Sequence, residues 1–125
     1  EVDAEWAMLW AMNVAWGAED MVPTPGATID DGCLSVLAVH GRTSFLQRLR
    51  VMLGLETGAH TALEQCRLFR CVALRLAPVP RTRKQGGGWV VADGEVVTRP
   101  PGMPQGRFEA SQPVDVRVVP RGVRV

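Results

Sequence analysis

The stretch that decides the fold is Trp6–Trp16, which reads WAMLWAMNVAW. Tryptophan, methionine and valine occupy every second position, and alanine, leucine and asparagine fill the positions between them. A period of two puts alternate side chains on opposite faces of a β-strand. The stretch therefore predicts a strand whose bulky face packs into a core, a more common role for such a stripe than binding a cofactor.

The segments that follow predict further short strands around one helix. The helix is expected after Gly41, because Ser44 and Gln47 have the spacing of a capping box, and Gly58 is placed to end it. Strands are expected at 33–39, 67–76, 89–91, 95–97 and 114–118, with loops at 20–26, 30–32, 81–88 and 99–106. Because no alternation of strands and helices is present, the predicted fold is mainly β, an antiparallel β-sandwich with one inserted α-helix.

Length and composition restrict the class of protein. A chain of 125 residues with 46% hydrophobic and 22% charged residues is typical of one globular domain. A net charge of +1 gives no reason to expect a nucleic-acid partner. Three cysteines without a CxxC pair indicate neither a disulfide framework nor a zinc site. The run from Trp6 to Ala18 is too short to span a bilayer, and a chain that begins at Glu1 is expected to be a piece of a longer protein.

Several motifs have a plain structural explanation beside a functional one. Gly86–Gly88 lacks the spacing of a phosphate-binding loop and is typical of a hairpin connection. Arg81–Lys84 has no interleaved aromatic residues, which favours a solvated loop over a site for single-stranded nucleic acid. His40 and His60 belong to no catalytic pattern and are expected to pack or to form hydrogen bonds.

For two acidic motifs, the residues alone do not decide between a structural and a functional role. Asp30–Gly32 could hold a cation or form a turn, and Asp93–Glu95 is more typical of a tight turn than of a catalytic pair. These residues by themselves assign no function.

The order of the motifs resembles the C-terminal half of the sphingosine kinases, within the diacylglycerol-kinase-catalytic family of lipid kinases. The resemblance covers the run from Glu5 to DDG at 30–32, the helix QRLRVMLGLETGAH at 47–60, CVALRLAP at 71–78 and VVADGEVV at 90–97. The long first run and the glycine-rich approach to Asp93 are closer to plant or algal members.

The resemblance implies an enzyme that transfers the γ-phosphoryl group of ATP to a lipid hydroxyl, converting sphingosine to sphingosine 1-phosphate. Residues 1–125 would be part of the C-terminal, lipid-binding β-sandwich domain and inactive alone, since no GGDGT-type nucleotide motif is present. ATP and Mg²⁺ would be bound mainly by the absent N-terminal domain. The expected partners are a sphingoid base or another lipid alcohol and, transiently, a membrane surface, with the protein cytoplasmic and peripheral to membranes. The alternative is a non-catalytic β-sandwich module that binds a lipid or a protein.

The resemblance also implies the residues of a phosphoryl-transfer site. Glu95 would act as the base or position magnesium and phosphate, and Asp93 would assist it. A structural Mg²⁺, by analogy with bacterial relatives, would be held by Asp31 with the backbone carbonyls of Thr28 and Cys33.

The family's lipid pocket uses the predicted helix, in which Val51, Met52 and Leu55 share one face. Arg48 departs from the pattern, because the animal enzymes have an apolar residue there. The predicted lipid wall consists of Leu37, Val51, Met52, Leu55 and His60. Simple packing of these side chains against the sheet is an equally good explanation.

Overall fold

The computed structural model describes residues 5–77, 91–92, 95–96 and 113–119. The strands are β1 (Trp6–Met12), β2 (Leu34–His40), β3 (Cys66–Cys71), β4 (Ala73–Leu76), β5 (Val91–Ala92), β6 (Glu95–Val96) and β7 (Val114–Arg117). The helices are α1 (Phe45–Gly54) and a short 3-10 helix (Ala59–Ala62). The described part of the chain is therefore mainly β with one α-helix, which confirms the predicted class.

The chain divides into two compact units, and within the described residues the boundaries fall after Ala73 and before Arg117. The first unit contains the sheet β1-β2-β3, α1 and the 3-10 helix. The second contains most of β4 and β7, which pair with each other, and the antiparallel pair β5-β6.

The central strand of the first unit is β2, which pairs antiparallel with both β1 and β3. In these pairings Trp10 and Leu68 both lie opposite Leu37. Every side chain of β2 except that of His40 is buried. Burial on both faces explains why this strand has a nearly continuous apolar sequence instead of alternating with polar residues.

A β-bulge in β1 changes the face to which Trp6 belongs. Met8 lies opposite Val39, but Trp6 lies opposite His40, so the register shifts by one residue between Trp6 and Met8. Trp6 therefore shares a face with His40 and makes edge-to-face ring contacts with His40 at 5.9 Å and Phe69 at 6.3 Å. The predicted single stripe is wrong for Trp6, because a bulge inserts a residue without altering the sequence pattern.

Strand β1 is shorter than the predicted 6–16 and ends at Met12. Beyond it the backbone is held by Thr24, whose buried hydroxyl donates to the Val14 carbonyl at 2.8 Å. The Thr24 backbone N–H donates to the Ala15 carbonyl at 3.4 Å. The proline-containing loop thus supplies the hydrogen bonds to the Val14 and Ala15 carbonyls that a neighbouring strand would otherwise supply.

Helix α1 begins as predicted and ends earlier than predicted. The capping box is confirmed: Ser44 Oγ accepts from the Gln47 N–H at 3.3 Å, and Gln47 Oε1 accepts from the Ser44 N–H at 2.8 Å. The helix ends at Gly54, where an added Cβ would lie only 2.7 Å from the His60 backbone nitrogen. Gly58, with φ of 78°, precedes the 3-10 helix and does not end α1. The chain folds back closely against Gly54, which limits the length of the helix.

The predicted strand 67–76 is two strands with different partners. β3 pairs with β2 and β4 pairs with β7, and the change falls at Val72, whose carbonyl accepts from the Val118 N–H at 3.0 Å. The predicted hairpin strands at 89–91 and 95–97 correspond to β5 and β6. The predicted loops 81–88 and 99–106 lie outside the described residues.

The core lies between α1 and one face of the β1-β2-β3 sheet. Its buried members are Leu37, Val39, Val51, Leu55 and Cys66, with Met8, Trp10, Met21 and Leu63 packed around them. Burial raises the pKa of the Cys66 thiol, so this cysteine stays protonated and behaves as a small apolar residue. This packing holds α1 on the sheet and leaves a groove beside the helix.

Candidate lipid-binding site

An open groove of about 280 Å³ lies between α1 and the β1-β2 edge of the sheet. Its lining residues are Ala7, Met8, Val39, Arg48, Val51 and Met52. Five of the six are apolar and the sixth is an arginine. Ligand pockets typically measure about 300–1,000 Å³, so this groove lies just below that range and has room for part of an alkyl chain.

Strand pairing and helix periodicity bring these six residues together. Met8 and Val39 face each other across β1 and β2. Arg48, Val51 and Met52 have the spacing i, i+3, i+4, which puts them on one side of α1. The groove is therefore built on regular elements, and the capping box and the buried Val51 hold the helix in place.

The structure separates the predicted lipid wall into two groups. Val51 and Met52 line the groove, Val51 as its buried floor and Met52 as an exposed wall. Leu37 and Leu55 are buried in the core and do not line the groove. His60 is also absent from the lining. Contact of any of these side chains with a lipid stays a prediction.

His60 connects α1 to the loop before β2. Its side chain is completely buried, with Nε2 2.8 Å from the Pro23 carbonyl oxygen and Nδ1 3.1 Å from that of Gly54. A ring nitrogen that carries a hydrogen donates to the carbonyl that it faces. The loop is also held by the Val22 N–H, which donates to the Leu55 carbonyl at 2.8 Å. In this position His60 supports the C-terminal end of α1.

Arg48 is the groove residue of α1 that the predicted wall omitted. It precedes Val51 by three positions and Met52 by four, so helical periodicity alone would have added it. Among the described residues its guanidinium forms no ion pair. An unpaired guanidinium beside an apolar groove is suited to a phosphate or carboxylate oxygen. Ala7, Met8 and Val39 were also missed, because their contribution depends on strand register across the bulge.

Asp31 orders the loop before β2. Its carboxylate accepts from the Cys33 N–H at 2.8 Å, the Thr28 N–H at 3.4 Å and the Arg70 guanidinium at 2.6 Å. The Cys33 and Thr28 N–H groups and the charge of Arg70 lower the pKa of Asp31 below its usual 3.8, although partial burial opposes them.

These contacts bear on the predicted structural Mg²⁺. Both carboxylate oxygens of Asp31 already accept hydrogen bonds, and the Thr28 carbonyl accepts from the Asp31 N–H at 3.3 Å. A metal ion would have to displace these donors. The described residues contain no group of three or more His, Cys, Asp and Glu side chains that could hold a metal. Magnesium binding at Asp31 stays a prediction.

The predicted acidic pair is only partly described. Asp93 lies outside the described residues. Glu95 is the first residue of β6 and lies opposite Ala92 of β5 in the antiparallel pair. The catalytic roles of both residues stay predictions.

A sheet with a helix packed on one face and an apolar groove between them defines a β domain with a surface groove that can take part of a ligand. Residues 2–125 match the model of the YegS C-terminal NAD kinase beta sandwich-like domain, and the chain belongs to this family. The family assignment confirms the predicted kinase-type β-sandwich resemblance.

The chain is also similar to one curated protein, a kinase from a plant. Sphingosine kinase 1 of Arabidopsis thaliana is 29% identical over 100 residues, which cover 79% of this chain and 20% of the relative. The chain therefore spans about a fifth of the length of the curated protein it matches. In the described part of the chain, no helix has both the length and the apolarity needed to cross a membrane.

Proposed function

We propose that the full-length protein is an ATP-dependent lipid kinase that phosphorylates a sphingoid base, and that this chain supplies the site for the lipid tail. The family membership supports a kinase-type role, and the likeness to a protein named sphingosine kinase supports the choice of lipid. The observation that carries the proposal is the apolar groove between α1 and the β1-β2 edge.

The groove would contribute binding energy from a part of the lipid that does not react. Each CH₂ group moved from water into an apolar site contributes about 0.8 kcal/mol. Val51 offers a fixed apolar floor, whereas Met52 is 43% exposed and has a flexible side chain. A ligand can therefore extend the burial of Met52 as it fills the groove, without displacing the core.

The reaction forms a bond between the lipid hydroxyl oxygen and the γ-phosphorus of ATP and breaks the bond to the β-γ bridging oxygen, releasing ADP. We assign ATP and Mg²⁺ mainly to parts of the full-length protein outside this chain. Glu95 is proposed to accept the hydroxyl proton or to position the phosphate and magnesium, with Asp93 assisting it. In this scheme the groove holds the lipid so that its hydroxyl is in line for transfer.

The test compares two variants of the full-length protein with sphingosine presented in detergent micelles. Met52→Gln places an amide in the groove and is expected to raise the KM for the lipid about tenfold, while kcat and the KM for ATP change little. The matched control is Val72→Gln, which changes an exposed apolar side chain that does not line the groove.

Two results would overturn the proposal in different ways. Equal KM values for the two variants would show that the groove does not hold the lipid. A full-length protein that binds lipid but shows no ATP-dependent phosphorylation of sphingosine or another lipid alcohol would instead be the non-catalytic module.

A further inference from the structure

The side of α1 that faces water is apolar. Val51 is the one fully buried side chain of the helix. Four large apolar side chains lie on the opposite side with the spacing i, i+1, i+4, i+8, and we call them the outer stripe: Phe45 (74% exposed), Leu46 (68%), Leu49 (43%) and Leu53 (66%). At 3.6 residues per turn they cover an arc of about 100°. A helix on the surface of a soluble domain normally has polar residues in such an arc.

The charged residues of α1 itself are both arginines. Arg48 and Arg50 lie on its two flanks, and Arg42 precedes the helix. No aspartate or glutamate occurs within α1, and Glu56 follows its C-terminal cap. In the part of the chain that the structure describes, the ion pairs involve Arg70 and Arg75, so Arg48 and Arg50 remain available to an external anion.

We propose that the outer stripe is a docking surface for a lipid bilayer that contains anionic lipids. An apolar arc with cationic flanks is the pattern of helices that lie in the plane of the membrane interface. The arginines favour an anionic bilayer over a neutral one, because the surface potential of acidic lipids attracts them. A second copy of this chain would instead bring the same positive flanks together, which disfavours pairing through α1.

The groove lies beside the outer stripe, so docking on a bilayer would bring the groove close to the lipids. Arg48 and Met52 line the groove, and Met52 lies one helical turn from Leu49 of the outer stripe. A bilayer lying against the stripe would therefore reach the mouth of the groove. A lipid tail could then pass from the bilayer into the groove without crossing water. This step rests on the proposed function, whereas the docking itself depends only on the stripe and its arginines.

The test is co-sedimentation of the full-length protein with vesicles of phosphatidylcholine alone or mixed with phosphatidylserine. Leu46→Gln/Leu53→Gln is expected to weaken binding to the mixed vesicles at least about tenfold. Its matched control is Ile29→Gln/Val72→Gln, which changes two equally exposed apolar side chains outside α1 and is expected to bind like wild type.

A second pair of variants tests the charges. Arg50→Gln is expected to reduce the preference for phosphatidylserine about fivefold, and Arg67→Gln on β3 is expected to leave it unchanged. These single surface changes keep the test decisive if the double leucine variant does not fold, which circular dichroism would reveal.

The results separate docking from catalysis. The docking proposal fails if wild type does not sediment with the mixed vesicles, or if Arg50→Gln binds them as wild type does. It also fails if the leucine variant binds them as wild type does. A simultaneous change of that variant from dimer to monomer by light scattering would show that the stripe joins two copies instead. Turnover in detergent micelles reports on the proposed function independently, and the leucine variant should retain it.

Discussion

Replacing His60 by alanine should lower the free energy of unfolding, by an amount that follows from the burial of the ring and its two carbonyl contacts. The variant removes a completely buried ring that lies 2.8 Å from the Pro23 carbonyl and 3.1 Å from the Gly54 carbonyl. Loss of one hydrogen bond costs about 1 kcal/mol. The space left by a large buried side chain adds about 1–3 kcal/mol. We therefore expect the free energy of unfolding to fall by about 2–4 kcal/mol.

Urea unfolding followed by far-ultraviolet circular dichroism measures this change. His60→Phe restores most of the volume but not the polar contacts, so its loss should be smaller than that of His60→Ala. The control is His40→Ala, whose exposed side chain at the end of β2 loses a ring contact with Trp6 and a hydrogen bond from the Arg42 N–H but leaves no buried space. We expect this control to cost less than about 1 kcal/mol.

The outcome distinguishes support of the helix from contact with lipid. If His60→Ala unfolds within about 0.5 kcal/mol of wild type, the role assigned to the two carbonyl contacts is wrong. If in addition the KM for lipid rises, His60 belongs to the lipid wall as the sequence resemblance implied.

Three further predictions concern other parts of the chain. Ser44→Ala should lower the free energy of unfolding by about 1 kcal/mol, while Ser44→Asp keeps a capping oxygen and should cost less; equal urea midpoints would contradict this. Asp31→Asn should lower the Tm at neutral pH. Because folding lowers the pKa of Asp31, the stabilisation that it gives is present above about pH 3.8 and is lost as the pH falls through the folded-state pKa. Plots of Tm against pH for wild type and the variant that stay parallel into acid would contradict this prediction. Glu95→Gln in the full-length protein should reduce kcat about 10²-fold or more with little change in Tm, and a kcat within about twofold of wild type at saturating ATP and Mg²⁺ would remove Glu95 from the catalytic group.

Features set by residues close in sequence could be predicted, and those set by distant contacts could not. The capping box was predictable because Ser44 and Gln47 satisfy each other within one turn. The end of α1 was not, because the close approach of His60 to Gly54 depends on the path of the chain after the helix. The face of Trp6 was wrong for a similar reason, since only pairing with β2 reveals the bulge.

The candidate site follows the same rule. Helical spacing identified Val51 and Met52, and the same spacing applied one turn earlier would have included Arg48. The β-strand side of the groove needed the register that brings Met8 opposite Val39. His60 resembled a wall residue in sequence, yet the carbonyl it contacts most closely belongs to Pro23, 37 positions away. Such a contact leaves no periodic signal in the sequence.

The attachments of α1 indicate how a ligand would reach the groove. The capping box holds the first turn, Val51 anchors the middle, and the contact of His60 with the Gly54 carbonyl holds the last turn. Moving the whole helix would require breaking all three attachments together. Met52 lies between these attachments, lines the groove and has an exposed, flexible side chain. Rotation of this one side chain is therefore the least costly way to widen the groove, and we expect access to depend on Met52 and not on displacement of the helix.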